Sequence, residues 1–143
     1  MPIVAFNFDK INVEKNKNIP SGVKVSNDVN ILSVKEENLK IEGSNSGALR
    51  FNFEFSAKYE PKVGFINLLG HLIYLEETKK IKNILSDWNK NKKIEKDLMT
   101  YLINSVLIRC NIKALTFSQE VNLPPNIRLP TITPKKEPRD YIG

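Results

Sequence analysis

Few side chains in this sequence could carry out chemistry. It holds one histidine, His71, and one cysteine, Cys110. A general base needs a nucleophile or carboxylate beside it, and none lies close to His71 along the chain. His71 therefore reads as a core or interface histidine with one hydrogen bond. Cys110 closes a stretch with helical spacing and reads as an inert buried thiol. One Cys and one His cannot build a zinc site of the usual composition within the chain, and one Cys excludes an intrachain disulfide. No phosphate-cradling glycine loop, dinucleotide fingerprint or nucleophile elbow occurs. The acidic pairs Glu36-Glu37 and Glu76-Glu77 fall in a loop and at a helix start, where carboxylates are solvated or capping. These residues describe a binding protein and not an enzyme, with no catalytic residue, metal or cofactor expected.

Two other sets of residues could bind. Lys79, Lys80, Lys82, Lys90, Lys92, Lys93 and Lys96 cluster, and Arg128, Lys135, Lys136 and Arg139 follow near the C-terminus. They form either the solvated side of amphipathic helices or a phosphate-contacting patch. No sequence-reading RNA motif accompanies them, so any RNA contact would run through backbone or shape. The aromatics Phe6, Phe8, Phe51, Phe53, Phe55, Tyr59, Phe65 and Trp88 are either ordinary core or in part an apolar patch for a partner. Within that set Phe6, Phe8, Tyr59, Phe65 and Trp88 are the candidate peptide-binding residues, with strand edges offering backbone pairing.

Length and composition bound what must position these groups. The 143 residues fit one folded domain, with 41% apolar residues and a net charge of +6. A basic excess of this size suits an anionic partner and equally suits solubility. No run of about 18 apolar residues could span a membrane. The N-terminus lacks the basic and apolar regions of a signal peptide, and a cytoplasmic location is expected.

The centre of the chain sets the architecture. Leu49, Phe51, Phe53 and Phe55 alternate with Arg50, Asn52, Glu54 and Ser56, the period of a half-buried strand. After a turn at Tyr59-Glu60-Pro61, Val63, Phe65, Leu69 and Ile73 fall on one face and Ile66, Leu68, Leu72 and Tyr74 on the other. A strand apolar on both sides is expected to be covered on both sides. Together they form an antiparallel hairpin on which the rest packs. Upstream, Val4, Phe6 and Phe8 give way to Ile11 and Val13, a slip that predicts a bulge near Lys10. A second strand over Val23–Val34 is expected to kink at Asn27-Asp28, with a brief strand at Leu39–Ile41. Downstream the period becomes 3.6. Ile81, Ile84, Leu85 and Trp88 predict a helix over Glu77–Asn89. A second helix is expected from about Ile94 to Arg109, its apolar stripe wide enough that more than one face is covered. Ala114, Leu115 and Phe117 then lead into a tail. Five of the eight prolines lie between Leu123 and Pro138, so the tail is extended, with Leu and Ile side chains available to lie along a groove. The fold class is α+β: a four-stranded antiparallel sheet followed by two helices packed on it, residues 1–122, then a Pro-rich basic tail, residues 123–143.

Three stretches carry a family likeness: Phe6–Ile11, then Leu49–Phe55 with Val63–Gly70, then Tyr101–Cys110 followed by the Leu-Pro-Pro tail. Across residues 3–130 the chain resembles the SecB-type export chaperones, and more closely their small archaeal relatives. The resemblance implies a four-stranded sheet backed by helices, assembly into homo-oligomers (dimers or tetramers), and apolar grooves that hold unfolded or extended polypeptide without ATP. In bacterial members an acidic sheet face docks the export motor, whereas here the third strand shows Arg50, Asn52, Glu54 and Ser56 on that side. Two functions are therefore expected in order: a chaperone-like module holding extended polypeptide segments, or a ribosome- or RNA-associated protein whose basic helices and tail touch phosphate.

Overall fold

The computed structural model describes residues 2–16, 21–38, 46–132 and 134. Strands β1 (Ile3–Lys15), β2 (Lys24–Glu37), β3 (Ser46–Glu60) and β4 (Gly64–Glu77) precede helices α1 (Thr78–Asn91) and α2 (Lys96–Glu120). The sheet order is β1-β4-β3-β2 and every pairing is antiparallel, so the expected hairpin, β3–β4, is the centre of the sheet.

One face of the sheet carries the core. Leu49, Phe51, Phe53, Phe55, Ala57 and Tyr59 alternate along β3 and are each at most 1% exposed. Ile66, Leu68 and Leu72 of β4 are also fully buried, and register pairs them with Ala57, Phe55 and Phe51. Burying each phenylalanine stabilises the fold by about 1.5–3 kcal/mol relative to leaving it exposed. Gly70 stands opposite Phe53 on one side and Phe8 on the other. A Cβ there would lie 2.3 Å from the Asn7 carbonyl oxygen and 2.6 Å from Phe53 Cζ. The bare backbone at Gly70 is what lets the Phe53 ring lie against the central strand.

The opposite face corrects an expectation. Phe65, Leu69, Ile73 and Leu75 of β4 point away from the helices, yet among the described residues no other element covers them. Their neighbours in register are long or polar: Arg50 beside Ile73, Glu54 and Lys10 beside Leu69, Lys58 and Glu14 beside Phe65. Flanking side chains of this length can shield an apolar column with their stems, and Ile73 is only 7% exposed.

The bulge in β1 lies between Phe8 and Lys10, as the spacing predicts. In β2 the irregularity is between Ile31 and Ser33, not at Asn27-Asp28, which pair without a break with Ala57 and Ser56. Leu32 is the extra residue and is exposed. The expected strand at 39–41 lies outside the described residues.

Both helices run further than expected. α1 ends where Lys92 adopts a left-handed φ of 55° and its N–H donates to the Trp88 carbonyl. α2 continues eleven residues past Arg109 to Glu120 and includes Ala114, Leu115 and Phe117. No Gly or Pro interrupts it before Pro124. Leu102, Val106, Cys110, Ala114 and Ser118 recur every fourth residue on its buried side. A second apolar set on α2, Tyr101, Ile108 and Ile112, stays exposed away from that stripe. That second stripe made the whole helix look apolar all round. Glu95 caps it, its carboxylate accepting from the Asp97 and Leu98 amides. Glu76, expected to be solvated or capping, is instead the penultimate residue of β4 and 7% exposed.

Candidate functional site

A groove runs between β1 and α2. Phe6 and Phe8, two residues apart in register with Leu72 and Gly70, stand on the helix-facing side, where their rings meet edge to face with centroids 5.4 Å apart. Phe53 forms the floor, 4.9 Å from Phe6 and 6.2 Å from Phe8. The far wall is α2. Ile3, Phe6, Tyr101, Ser105, Ile108 and Arg109 line a cavity of about 280 Å³. Two cations sit over the rings: the Arg109 guanidinium 5.0 Å from the Phe6 centroid and the Lys113 ammonium 5.9 Å from that of Phe8. Such contacts are favourable and hold the long side chains along the rim. Phe6 and Phe8 are only half-buried. β1 is an edge strand, so its outer backbone groups are open to pairing.

The five aromatic candidates do not share this surface. Phe6 and Phe8 line it. Tyr59 is 1% exposed at the far side of the sheet, where its hydroxyl donates to the Pro124 carbonyl at 2.7 Å. Burial pushes that hydroxyl up to about 12. Phe65 is on the opposite face of the sheet, next to Lys58. Trp88 is buried under α1 with the Lys92 ammonium 5.4 Å from its ring centre. Tyr101, Ile108 and Arg109 lie inside the expected helix, but its pattern could not say that they face β1; Lys113 lies beyond the expected end at Arg109. The i, i+4 spacing of Tyr101, Ser105, Arg109 and Lys113 was the available signal.

A second cavity, about 360 Å³, opens where the end of β4 meets the α1–α2 joint. Tyr74, Glu76, Ile84, Ile94 and Leu98 line it, with Lys80 and Lys93 among its charged residues. The Tyr74 hydroxyl donates to Glu76 Oε2 at 2.8 Å and the Glu77 amide to Oε1 at 3.0 Å. Burial works against the ionised Glu76 carboxyl. The Glu77 amide, the Tyr74 hydroxyl and Lys80 outweigh it and hold the group below its ordinary value.

The lysines occupy a different surface. Lys79, Lys80, Lys82 and Lys90 are exposed on α1, Lys92 and Lys93 in the joint, and Lys96 at the start of α2. Arg128 is exposed in the tail; Lys135, Lys136 and Arg139 lie outside the described residues.

His71 faces away from the groove, on the uncovered side of the sheet. Its Nδ1 donates to the Asp9 carboxylate at 2.8 Å, and Asn7 Nδ2 lies 3.4 Å from Nε2. The Arg50 guanidinium is 3.9 Å from the same Asp9 oxygen. The carboxylate partner is 62 residues away in sequence, which is why it was not visible there. One carboxylate, two amides and a guanidinium surround the ring in register, and no nucleophilic side chain is among these contacts. Cys110 is fully buried in the core, and burial pushes its thiol up to about 12. Among the described residues no three His, Cys, Asp or Glu side chains group as metal ligands. No described helix is long and apolar enough to cross a membrane.

No protein-family model matches the chain, and no curated protein does. Among solved structures it is similar to the Mycobacterium tuberculosis SecB-like chaperone Rv1957, in complex with a ChAD peptide from the Rv1956 HigA1 antitoxin. The TM-score is 0.52 and the identity 8%, over 94% of this chain and 92% of that one. The fold is that of a SecB-like chaperone. The likeness runs almost end to end, with very little shared sequence. Within this SecB-like fold, the exposed apolar wall of α2 and the open edge of β1 belong to the same side of the domain.

Proposed function

We propose that the chain is a non-enzymatic, chaperone-type module that holds extended or unfolded polypeptide in the groove between β1 and α2. The observation that carries this is the half-buried Phe6–Phe8 pair on Phe53, walled by exposed Tyr101 and Ile108 and rimmed by Arg109 and Lys113. Aromatic rings beside an open strand edge accept apolar side chains while the edge pairs with the segment's backbone. The two rim cations favour segments that carry acidic residues next to apolar ones. The SecB-like neighbour, itself in complex with a peptide, supports the same class of partner. Ile112, exposed on α2 and outside the groove lining, marks the surface on which copies would assemble into a dimer or tetramer.

The test is suppression of aggregation of a chemically denatured client at stoichiometric ratio, with Phe6→Ala and Ile108→Asp as variants. Suppression by the parent that both variants weaken supports the reading. Equal suppression by all three moves the site elsewhere, and no suppression removes the function.

The exposed lysines of α1 and the joint favour a second reading, contact with RNA phosphate. It predicts binding whose log–log salt dependence has a slope of about 0.7–0.9 per phosphate contacted, and that falls when Lys90, Lys92 and Lys93 are replaced by Gln. Binding indifferent to salt would dismiss it.

A further inference from the structure

The start of the tail lies on the domain like a bound ligand. After α2, Leu123 turns back, its amide donating to the Ser118 carbonyl at 2.8 Å and its side chain entering the core at 5% exposure. Two side chains of the sheet then donate to the backbone of this strap. Tyr59 Oη donates to the Pro124 carbonyl at 2.7 Å, and Asn27 Nδ2 to the Asn126 carbonyl at 2.8 Å. The two acceptors are two residues apart, the spacing of carbonyls on the same side of an extended chain. Neither donor needs an N–H in return, which suits Pro124 and Pro125, since they have none. Asn126 itself is 4% exposed. Its Nδ2 reaches Asn111 Oδ1 at 3.0 Å and Asn27 Oδ1 at 3.4 Å, while its own Oδ1 is buried and has no partner. An orphaned buried acceptor weakens the strap's own hold.

We infer that Tyr59, Asn27 and the Leu123 pocket form a second polypeptide site, which the chain's own Leu123–Asn126 strap occupies and which an extended apolar-Pro-Pro segment of another polypeptide displaces. The contacts read backbone carbonyls and one apolar side chain, so they do not require this sequence in particular. The site lies at the β2–β3 side of the domain, across the sheet from the β1–α2 groove. The inference rests on the polypeptide-holding reading and extends it: the strap is a self-ligand that keeps this second site closed until a client competes.

The test uses the full chain and a fluorescent ten-residue peptide matching Leu123–Ile132, followed by anisotropy. Only the fraction with the strap released can bind, so apparent affinity scales with that fraction. Leu123→Gln, which frees the strap and keeps both donors, should bind the peptide at least about tenfold more tightly than the parent. Adding Tyr59→Phe to Leu123→Gln should weaken that binding by about 3- to 10-fold, the loss of one hydrogen bond. In the parent, saturating peptide should speed hydrogen exchange of the Leu123 amide, a readout that needs no variant to fold. No saturable binding, binding indifferent to Tyr59, or an unchanged Leu123 amide would each overturn the inference. Phe6→Ala separates the two sites: it should lower client holding and leave this peptide's binding within about twofold. A parent that holds clients but does not bind the peptide overturns this inference alone; a parent that binds the peptide but holds no client overturns the proposed function alone.

Discussion

Gly70→Ala is the sharpest probe of how the core supports the groove. Gly70 sits mid-strand in β4 between two neighbours that leave no room. The added Cβ would meet the Asn7 carbonyl oxygen of β1 at 2.3 Å and the Phe53 ring at 2.6 and 3.1 Å. The ring has little freedom, being fully buried among Phe6, Phe8 and the β4 backbone. The carbonyl belongs to a paired strand, so β1 must move as well. Overpacking a tight core costs about 1–3 kcal/mol, and with backbone as the obstacle we expect the upper end, about 3 kcal/mol. For a domain of this size that lowers the melting temperature by about 10 °C. Because Phe53 is the floor of the groove, client holding should fall in proportion, even though Gly70 never touches a client. Gly47→Ala is the control. There the Cβ meets the end of the Ile81 side chain, Cδ1 at 2.8 Å, which can rotate away. Its cost should stay below about 1 kcal/mol. Thermal melts of both variants, with client aggregation assays alongside, decide the matter. A Gly70→Ala protein that melts within about 2 °C of the parent, or a Gly47→Ala protein equally damaged, would refute the packing account.

Three further outcomes follow from buried titratable groups. Glu76 has a folded pKa below its ordinary 4.5, so the stability it adds is present above that value and lost as pH falls through the lower folded value. The stability gap between the parent and Glu76→Gln should therefore shrink as pH falls below about 4.5 in urea titrations; a constant gap argues against an ionised, bonded carboxylate. Tyr59 shows the opposite sign: its hydroxyl is raised from 10.0 to about 12, so its contribution holds below pH 10 and fades as pH rises through 12. Tyr59→Phe should be less stable at neutral pH and lose less than the parent between those limits, as urea titrations at each pH will show. Cys110, fully buried and raised to about 12, should react with a thiol reagent at pH 8 only at the rate of global unfolding; fast labelling of the native protein would contradict its placement in the core.

Much of the architecture was legible in the residues alone. The unbroken alternation from Leu49 to Phe55 and the Pro-containing turn identified the central hairpin, and Ile81, Ile84, Leu85 and Trp88 identified the first helix. Period carries that information, because a strand or helix with one buried face must repeat its apolar residues at its own pitch. The same logic misled where a segment has two apolar faces. α2 carries a core stripe and an exposed apolar stripe, so its pattern could not locate its end, and the groove residue Lys113 lay beyond the expected one. The β2 irregularity falls between Ile31 and Ser33 and not at Asn27-Asp28, because polar residues within a strand do not by themselves break its pairing.

What the chain dictated by itself was the set of elements, the poverty of reactive groups and the presence of aromatic residues to spare. Which aromatics meet was decided only by tertiary structure. Strand register brought Phe6 and Phe8 onto Phe53, left Phe65 on the other face, and joined His71 to a carboxylate 62 residues away. Local pattern encodes which face a residue takes. The neighbours it finds there depend on register and helix placement, which contacts between residues far apart in the chain select together.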